Sequence, residues 1–385
     1  MDLIYQNFDG LDVTFQGCVP DYILHELEMG RQAAEKNRAP SLVKLGKHEI
    51  PVLVAENGMK GGYRYRFDTG LDGETWCIAN SDDPTQWNIR ASVKSLTLAL
   101  YGYQGVKEKI YSMLEKLEAT GSGEINPKTG EIYTFPREAI SRVDYCFDFK
   151  SNDFQINPDF LIAHSRCKKQ YLYPKEIIST GRHITYSRIG SMPNRQIVLY
   201  DKTREIQEKN KSYWWKIWGL IKEGFNQKIW RIEVRAGKKE LKNWNLRTFD
   251  DFEEKIGDVI ISILKEIKYV TPNENDTNLA RWPLSDFWRN TQKAAKNALE
   301  KYTSNAKRNP IIEEYREEII NRYKNQISGM IPPLAVALGK DDAAHIPGVL
   351  EAYLKEFSES SIKNKSKIKN KIEKSKNKFI FLDKK

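Results

Sequence analysis

Residues 142–149, RVDYCFDF, alternate between apolar and polar side chains. Successive side chains of a β-strand point to opposite faces, so this alternation predicts a strand with one apolar face and one polar face. The apolar face comprises Val143, Tyr145, Phe147 and Phe149. The polar face comprises Arg142, Asp144, Cys146 and Asp148. Charges in the middle of a strand are costly unless they are paired or used, so this strand is a candidate wall of a functional site.

A second segment, WRIEVR at residues 230–235, repeats the design and carries Arg231, Glu233 and Arg235 on its polar face. Two interpretations are open. In the first, the two strands pair side by side and their polar residues form surface salt bridges. In the second, the polar face binds a divalent metal ion through carboxylate oxygens and offers its arginines to phosphate.

Distance restricts the second interpretation. Asp144 and Asp148 lie four residues apart, which is about 13 Å at the rise of a strand. A single ion cannot bind both without a bulge. We therefore predict Asp144 as a ligand, with Glu233 as its partner across the sheet, and keep Asp148 as a secondary candidate.

A third segment, IVLYDKTRE at residues 197–205, places a tyrosine where an apolar strand becomes charged. If the strand continues, Tyr200 and Lys202 share a face and Asp201 points away. A tyrosine side chain ionises near pH 10, so it needs a cation, a metal or a base to act as a nucleophile at neutral pH. Glu205 could serve as that base or as a metal ligand. Ordinary packing of a strand-end tyrosine is the alternative.

The composition bounds the class of protein. The chain has 385 residues, 40% of them hydrophobic, with a net charge of +10 and a pI of about 9.1. This charge favours a polyanionic partner such as nucleic acid. The four cysteines show no metal-binding spacing, and neither a membrane-spanning run nor a signal peptide is visible. These features predict a cytoplasmic protein with no membrane partner.

The order of patterns predicts an α+β fold. A largely antiparallel sheet carries the site on one face and helices on the other, and a helical C-terminal region follows. We place the catalytic domain at residues 1–270 and the helical region at 271–359. Residues 360–385 are rich in Lys, Asn and Ser. Their composition predicts a disordered, solvated tail, or a mobile arm that adds phosphate contacts.

An aromatic cluster follows the third segment, at residues 213–218, YWWKIW. Trp214 and Trp218 would share one face of a helix, which favours packing in a core. The alternative is that they stack on unpaired bases of DNA.

The three segments, in this order and spacing, resemble the replication initiation factor family (Rep_trans) over roughly residues 8–270. That family includes rolling-circle initiators of plasmids and phages and relaxases of integrative elements. The resemblance implies that Tyr200 is the nicking tyrosine. It further implies that Asp144, Glu205 and Glu233 hold Mg²⁺ or Mn²⁺. The basic residues expected to meet DNA phosphate are Lys202, Arg142, Arg231 and Arg235. The His-hydrophobic-His pair of other nickases does not occur in the sequence.

The resemblance thus implies a DNA-nicking replication initiator, which would leave a 5′-phosphotyrosine and a free 3′-hydroxyl primer. Its partner would be origin DNA with a hairpin or single-stranded nick site, and a host helicase, a polymerase or a second copy of the chain could join it. Two alternatives remain at this stage. One is a conjugative relaxase with the same chemistry, and the other is a non-catalytic DNA-binding regulator. An RNA-binding protein is disfavoured because no RNA-recognition motif is visible.

Overall fold

The computed structural model of the chain describes residues 1–126, 130–163, 175–221, 227–273, 275–304 and 308–379. Two compact units divide the chain. The first comprises residues 1–242 and 246–306, and the second comprises residues 243–245 and 307–385. No helix among the described residues is both long and apolar enough to span a membrane.

The first unit is built on β-strands. They are β1 (Asp2–Gln16), β2 (Ser41–Leu45), β3 (Ile50–Val54), β4 (Tyr63–Asp68), β5 (Glu74–Ala79), β6 (Ile89–Val93), β7 (Arg137–Ser151), β8 (Leu161–Ala163), β9 (Lys175–Thr180), β10 (His183–Gly190), β11 (Arg195–Asp201), β12 (Lys228–Gly237) and β13 (Ile267–Tyr269). Its helices are α1 (Asp21–Asn37), α2 (Ser95–Lys116), α3 (Lys202–Glu208), α4 (Trp214–Ile217), α5 (Lys238–Asn243), α6 (Phe249–Glu266) and α7 (Asp286–Ala298). In the second unit the helices are α8 (Arg308–Ala337), α9 (Ile346–Lys363) and α10 (Lys365–Phe379).

Among the described residues, eleven strands form one sheet in the order β2-β3-β4-β5-β6-β1-β7-β12-β11-β10-β9. The pairings recorded between its neighbouring strands are antiparallel. β1 lies inside the sheet and pairs with β6 on one side and with β7 on the other. Strands β8 and β13 form a separate two-stranded ladder. The α+β fold with a large antiparallel sheet is therefore confirmed.

Helices α2 and α6 cover the apolar face of the sheet. Phe8 and Tyr145 from adjacent strands meet edge to face at 5.0 Å between ring centroids. Tyr103 of α2 stacks on Phe252 of α6 at 4.4 Å. The start of α6 is fixed by Thr248, whose hydroxyl accepts a hydrogen bond from the backbone of Asp251. Because the helices occupy this face, the polar side chains of β7, β11 and β12 lie on the opposite one.

Two stretches differ from the sequence patterns. Residues 87–102 contain both β6 and the beginning of α2, a segment whose periodicity did not separate strand from helix. The sequence of residues 204–223 predicts one helix, but the described part of this stretch contains two short helices, α3 and α4. Asn210 between them has φ +51°. This left-handed conformation cannot continue a right-handed helix, so the chain turns there.

The first unit extends to residue 306, beyond the boundary expected at residue 270. The reason lies in α7, because Trp288 is fully buried and its Nε1 donates to the Leu264 carbonyl of α6 at 3.2 Å. Residues 365–379 form α10, where the composition had suggested a disordered tail. Lysine has good helix propensity, so a lysine-rich segment can be helical without a core of its own.

Candidate functional site on the polar face of the sheet

The register of the sheet brings the three motif strands side by side. β12 lies between β7 and β11, with Arg235 opposite Asp144 and Arg231 opposite Asp148. On its other side, Arg231 is opposite Tyr200. Residues directly opposite one another project to the same face, so the predicted site residues share one face of the sheet.

An open groove of about 560 Å³ crosses this face. It is lined by seven of the residues predicted from the sequence as catalytic, metal-binding or phosphate-binding: Arg142, Asp144, Tyr200, Lys202, Glu205, Glu233 and Arg235. The remaining predicted residues, Asp148, Trp214, Trp218 and Arg231, are buried outside that lining. The groove therefore defines the candidate site.

Tyr200 is half-buried in the groove, and its hydroxyl donates a hydrogen bond of 3.4 Å to Oε2 of Glu233. Burial, followed by the negative charge of Glu233, raises the pKa of Tyr200 well above its usual value. The phenol is therefore neutral at pH 7 and has a carboxylate in place to accept its proton. The Lys202 ammonium lies 5.7 Å from the centre of the tyrosine ring.

Two arginines clamp the buried carboxylates of the groove. Arg142 forms a bidentate pair with Asp144, with Nε 2.9 Å from Oδ1 and Nη2 2.5 Å from Oδ2. Arg235 donates from Nε to Oε1 of Glu233 at 2.7 Å and lies 4.0 Å from Asp144. Burial and the nearby charge of Glu233 raise the pKa of Asp144 to about 7, although Arg142 acts in the opposite direction. The strands pair side by side and their polar residues form salt bridges, as the first interpretation of the sequence expected, but these salt bridges lie in a partly buried groove.

Glu205 is held by lysines. Its carboxylate lies 2.7 Å from Lys202, 2.8 Å from Lys211 and 3.2 Å from Lys209. Burial acts to raise the pKa of Glu205, but the lysines outweigh it and lower the pKa to about 2. As predicted, Asp201 points away from Tyr200, because its side chain caps α3 by accepting from the backbone of Arg204 at 3.0 Å.

The predicted metal centre of Asp144, Glu205 and Glu233 does not fit this arrangement. Glu205 is satisfied by its lysines, while Asp144 and Glu233 are engaged by arginines. Within the described part of the chain, no group of three or more His, Cys, Asp or Glu side chains is arranged to hold a metal ion.

Arg231 was predicted to meet phosphate, but it lies beneath the groove with no solvent exposure. Its guanidinium donates to both oxygens of Asp148 at 2.6 and 2.7 Å and to Asp9 at 2.7 Å. Asp148 also accepts from Nε1 of Trp218 at 2.8 Å. Arg231 and Asp148 are therefore a structural pair that supports the floor of the site, and neither is available to DNA or to a metal ion.

The tryptophans belong to the core, as the helical spacing favoured. Trp214 is fully buried, with the Arg231 guanidinium 4.2 Å and the Lys202 ammonium 4.7 Å from its ring centroid. The edge of the ring meets Tyr5 at 5.4 Å. Stacking of Trp214 on a base is excluded by this burial.

Two residues of the site were missed from the sequence. Asp9 enters it because β1 has an irregularity in its register between Phe8 and Gly10. Tyr186 lies directly opposite Tyr200 on β10 and so shares its face. In the sequence, Asp9 could have been found from the Asp9-Gly10 step, which interrupts the alternation of apolar and polar side chains along β1. A Cβ atom at Gly10 would lie 3.0 Å from Asp144, so glycine leaves room for that carboxylate.

Part of the chain is similar to a known protein family. Residues 93–255 match the family model Phage_CRI, which describes the N-terminal part of a replication-associated protein. The chain is also similar to a solved rolling circle replication initiator protein from Geobacillus stearothermophilus. The sequence identity is 17%, the TM-score is 0.42, and the overlap covers 76% of this chain and 96% of that one. This likeness is too slight to carry an argument. No curated protein matches the chain.

The matched residues 93–255 contain β7, β11 and β12 together with the groove residues that these strands carry. The same three strands carry the motifs that resemble replication initiators. The family model therefore matches the part of the chain that carries the three motifs.

Proposed function

We propose that the protein is a rolling-circle replication initiator that nicks one strand of origin DNA with Tyr200. The observation that carries this proposal is the hydrogen bond from the Tyr200 hydroxyl to Glu233 inside a groove rimmed by cations. A buried tyrosine needs a base beside it to become a nucleophile, and Glu233 occupies that position.

In the proposed reaction, Glu233 accepts the phenolic proton as the Tyr200 oxygen attacks the scissile phosphorus. The bond between phosphorus and the 3′-oxygen breaks, and that oxygen leaves as a hydroxyl after it takes up a proton. The strand that follows stays attached as a 5′-phosphotyrosine. No high-energy bond is lost, so the reverse attack by a 3′-hydroxyl rejoins the strand without ATP.

The cations of the groove suit the charge that develops on the phosphate. Arg142 and Arg235 are partly exposed, and each has further N–H donors beyond those bound to carboxylates. Donors already in position at a growing negative charge stabilise a transition state more than water does. Lys202 is 2% exposed, and its ammonium lies 5.7 Å from the centre of the Tyr200 ring, where its charge favours the phenolate that forms during the attack.

The test is covalent capture. A supercoiled plasmid carrying the cognate origin, incubated with the protein, is expected to yield nicked circles linked to protein, and peptide mass spectrometry should place the adduct on Tyr200. Tyr200→Phe should abolish the adduct because it removes the nucleophilic oxygen. Tyr22→Phe is the matched control, since the Tyr22 hydroxyl bonds to Glu118 and is not part of the groove lining. An adduct on Tyr186, or nicking by Tyr200→Phe at the wild-type rate, would contradict the assignment.

Metal dependence remains a separate prediction of the family resemblance. If Mg²⁺ or Mn²⁺ is required, EDTA should stop nicking, and either ion should restore it. Nicking that proceeds at full rate in EDTA would agree with the arginine-clamped carboxylates described above and would refute the requirement.

A further inference from the structure

The turn between β4 and β5, residues 69–73, presents one apolar side chain to solvent. Leu71 at its tip is 92% exposed, more than any other described large hydrophobic residue. Isolated surface leucines are common and need no explanation by themselves. Three further observations separate Leu71 from that background.

First, the turn is fixed from within. The backbone N–H of Thr69 donates to the Glu74 carbonyl at 3.0 Å, and the Thr69 hydroxyl accepts from the Glu74 backbone at 2.8 Å. At Gly73 a Cβ atom would lie 2.2 Å from the Thr69 hydroxyl oxygen, so only glycine permits this closure. The tip therefore holds Leu71 in a defined position.

Second, the first turns of α2 hold the same tip from outside. The Thr97 hydroxyl donates to the Gly73 carbonyl at 2.8 Å, and the Tyr101 hydroxyl donates to Asp72 at 2.5 Å. Both contacts are made to the two residues that directly follow Leu71. Helix α2 therefore fixes the backbone of the turn next to this exposed apolar side chain.

Third, Leu71 lines the same groove as Tyr200. Between them the groove crosses strands β6, β1, β7 and β12, and its lining at the Leu71 end includes Arg90 and Lys94. Leu71 lies on the turn that precedes β5, and five strand spacings from β5 to β11 amount to roughly 24 Å. This length corresponds to roughly seven stacked base pairs.

We propose that Leu71 is a wedge that inserts between adjacent bases of the bound DNA and helps to open the duplex, so that a single strand enters the groove toward Tyr200. Apolar side chains that enter a base step unstack it and bend the helix, and basic residues beside them hold the backbone. The proposal rests on the proposed function, because it takes DNA as the occupant of the groove. It adds a positioning role for a residue that lies outside the family match, which begins at residue 93.

The experiment measures base unstacking apart from cleavage. A hairpin oligonucleotide carrying 2-aminopurine about seven base pairs from the nick site is titrated with the Tyr200→Phe protein, which binds but does not cut. Unstacking raises 2-aminopurine fluorescence, and we expect a severalfold rise at saturation. Leu71→Ala in the same background should lose most of the rise, whereas Leu71→Met should retain it because apolar bulk is kept.

Leu42→Ala is the matched control, since Leu42 is 70% exposed on edge strand β2 and is not part of the groove lining. It should behave as the parent protein. In the cleaving protein, Leu71→Ala should slow nicking of the paired hairpin by roughly tenfold, and less on the same sequence with the site already unpaired. Thermal unfolding should be the same for Leu71→Ala and the parent protein, because the side chain is in solvent.

A full fluorescence rise with Leu71→Ala overturns the wedge while leaving the proposed nicking function intact. Equal losses on the paired and unpaired substrates also overturn it, because they indicate a general contact. A failure of the parent protein to bind the hairpin, together with an absence of any covalent adduct, overturns both the wedge and the nicking function.

Discussion

Arg231 is a charged side chain with no access to water, and its neighbours explain how that charge is tolerated. Asp148 and Asp9 neutralise it, and the Trp214 ring covers its face. A buried ion pair gives little net stability compared with a well-packed apolar pair, but removal of one partner leaves a charge without compensation. The pair thus makes the floor under Tyr200 intolerant of single substitutions.

Asp148→Ala should therefore destabilise the protein by about 3–5 kcal/mol. Denaturant unfolding followed by circular dichroism measures the change. Asp153→Ala is a suitable control because Asp153 is exposed, and a surface substitution should change stability by less than about 0.5 kcal/mol. A loss below about 1 kcal/mol for Asp148→Ala would show that the pair is not structural.

Glu205 predicts a pH dependence of stability. Its pKa in the folded protein, about 2, lies below the ordinary value of 4.5 for the side chain. The unfolded chain therefore binds the proton more readily, so the stabilisation is complete above pH 4.5 and is lost as the pH falls toward 2. Between pH 5 and pH 3, the melting temperature of the wild type should fall more steeply than that of Glu205→Gln. Parallel curves for the two proteins over this range would contradict the ion pairs with the lysines.

At the level of elements, the turn from β10 to β11 delivers Tyr200 to the groove. Gly190 ends β10 with φ +95°, and a Cβ atom there would lie 2.2 Å from the Arg195 carbonyl oxygen. The two backbones can approach this closely only at glycine. Any shift of β11 at this point would move Tyr200 relative to Glu233.

Gly190→Ala should lower both stability and nicking rate, because it combines a strained φ with a backbone clash. Gly181→Ala is its control. Gly181 also has a positive φ, +60°, but a Cβ atom there would meet open space. Calorimetry should give a clearly larger loss at position 190, and the adduct assay should show reduced nicking for that variant alone. Equal losses of stability at the two glycines would show that the positive φ alone is responsible, and they would contradict the proposed backbone clash at Gly190.

The local sequence pattern was sufficient to predict the strands, but it did not determine which side chains their polar residues contact. The alternation in RVDYCFDF and WRIEVR predicted β7 and β12 and the faces of Asp144 and Glu233, because that pattern repeats every two residues. The role of Arg231 depended on a partner that no local pattern reveals, because Asp9 lies 222 positions away in sequence. Glu205 differs, because Lys202 and Lys209 lie at the i,i+3 and i,i+4 spacings of a helix. The sequence therefore contained this signal, and the prediction of a metal ligand at Glu205 did not use it. The irregularity in β1 also shifts Asp9 out of the two-residue alternation, so the pattern of this strand did not indicate Asp9 as a residue of the site.

For the whole molecule, the net charge of +10 predicts that the proposed binding to DNA depends strongly on salt. Each phosphate neutralised by lysine or arginine releases counterions, so affinity falls as a power of the salt concentration. If the protein makes six to ten such contacts, binding should weaken by about 10³–10⁵ between 50 and 200 mM salt. Fluorescence anisotropy with a labelled origin fragment measures the slope. An affinity that does not change with salt concentration would mean that the basic side chains pair with carboxylates of the protein and do not contact the DNA.

The position of β1 inside the sheet has a consequence for how the protein is made. This strand leaves the ribosome before its partners, yet it pairs on one side with β6 and on the other with β7, which ends at Ser151. The strands that complete the groove follow only with β12, at residues 228–237. Contacts between segments so distant in sequence form slowly, because the entropy cost of closing a long loop comes before the stabilising contacts form. During synthesis, β1 therefore has two unpaired edges until its partner strands have been made. Unpaired strand edges can pair with other chains, so the nascent chain depends on protection from aggregation.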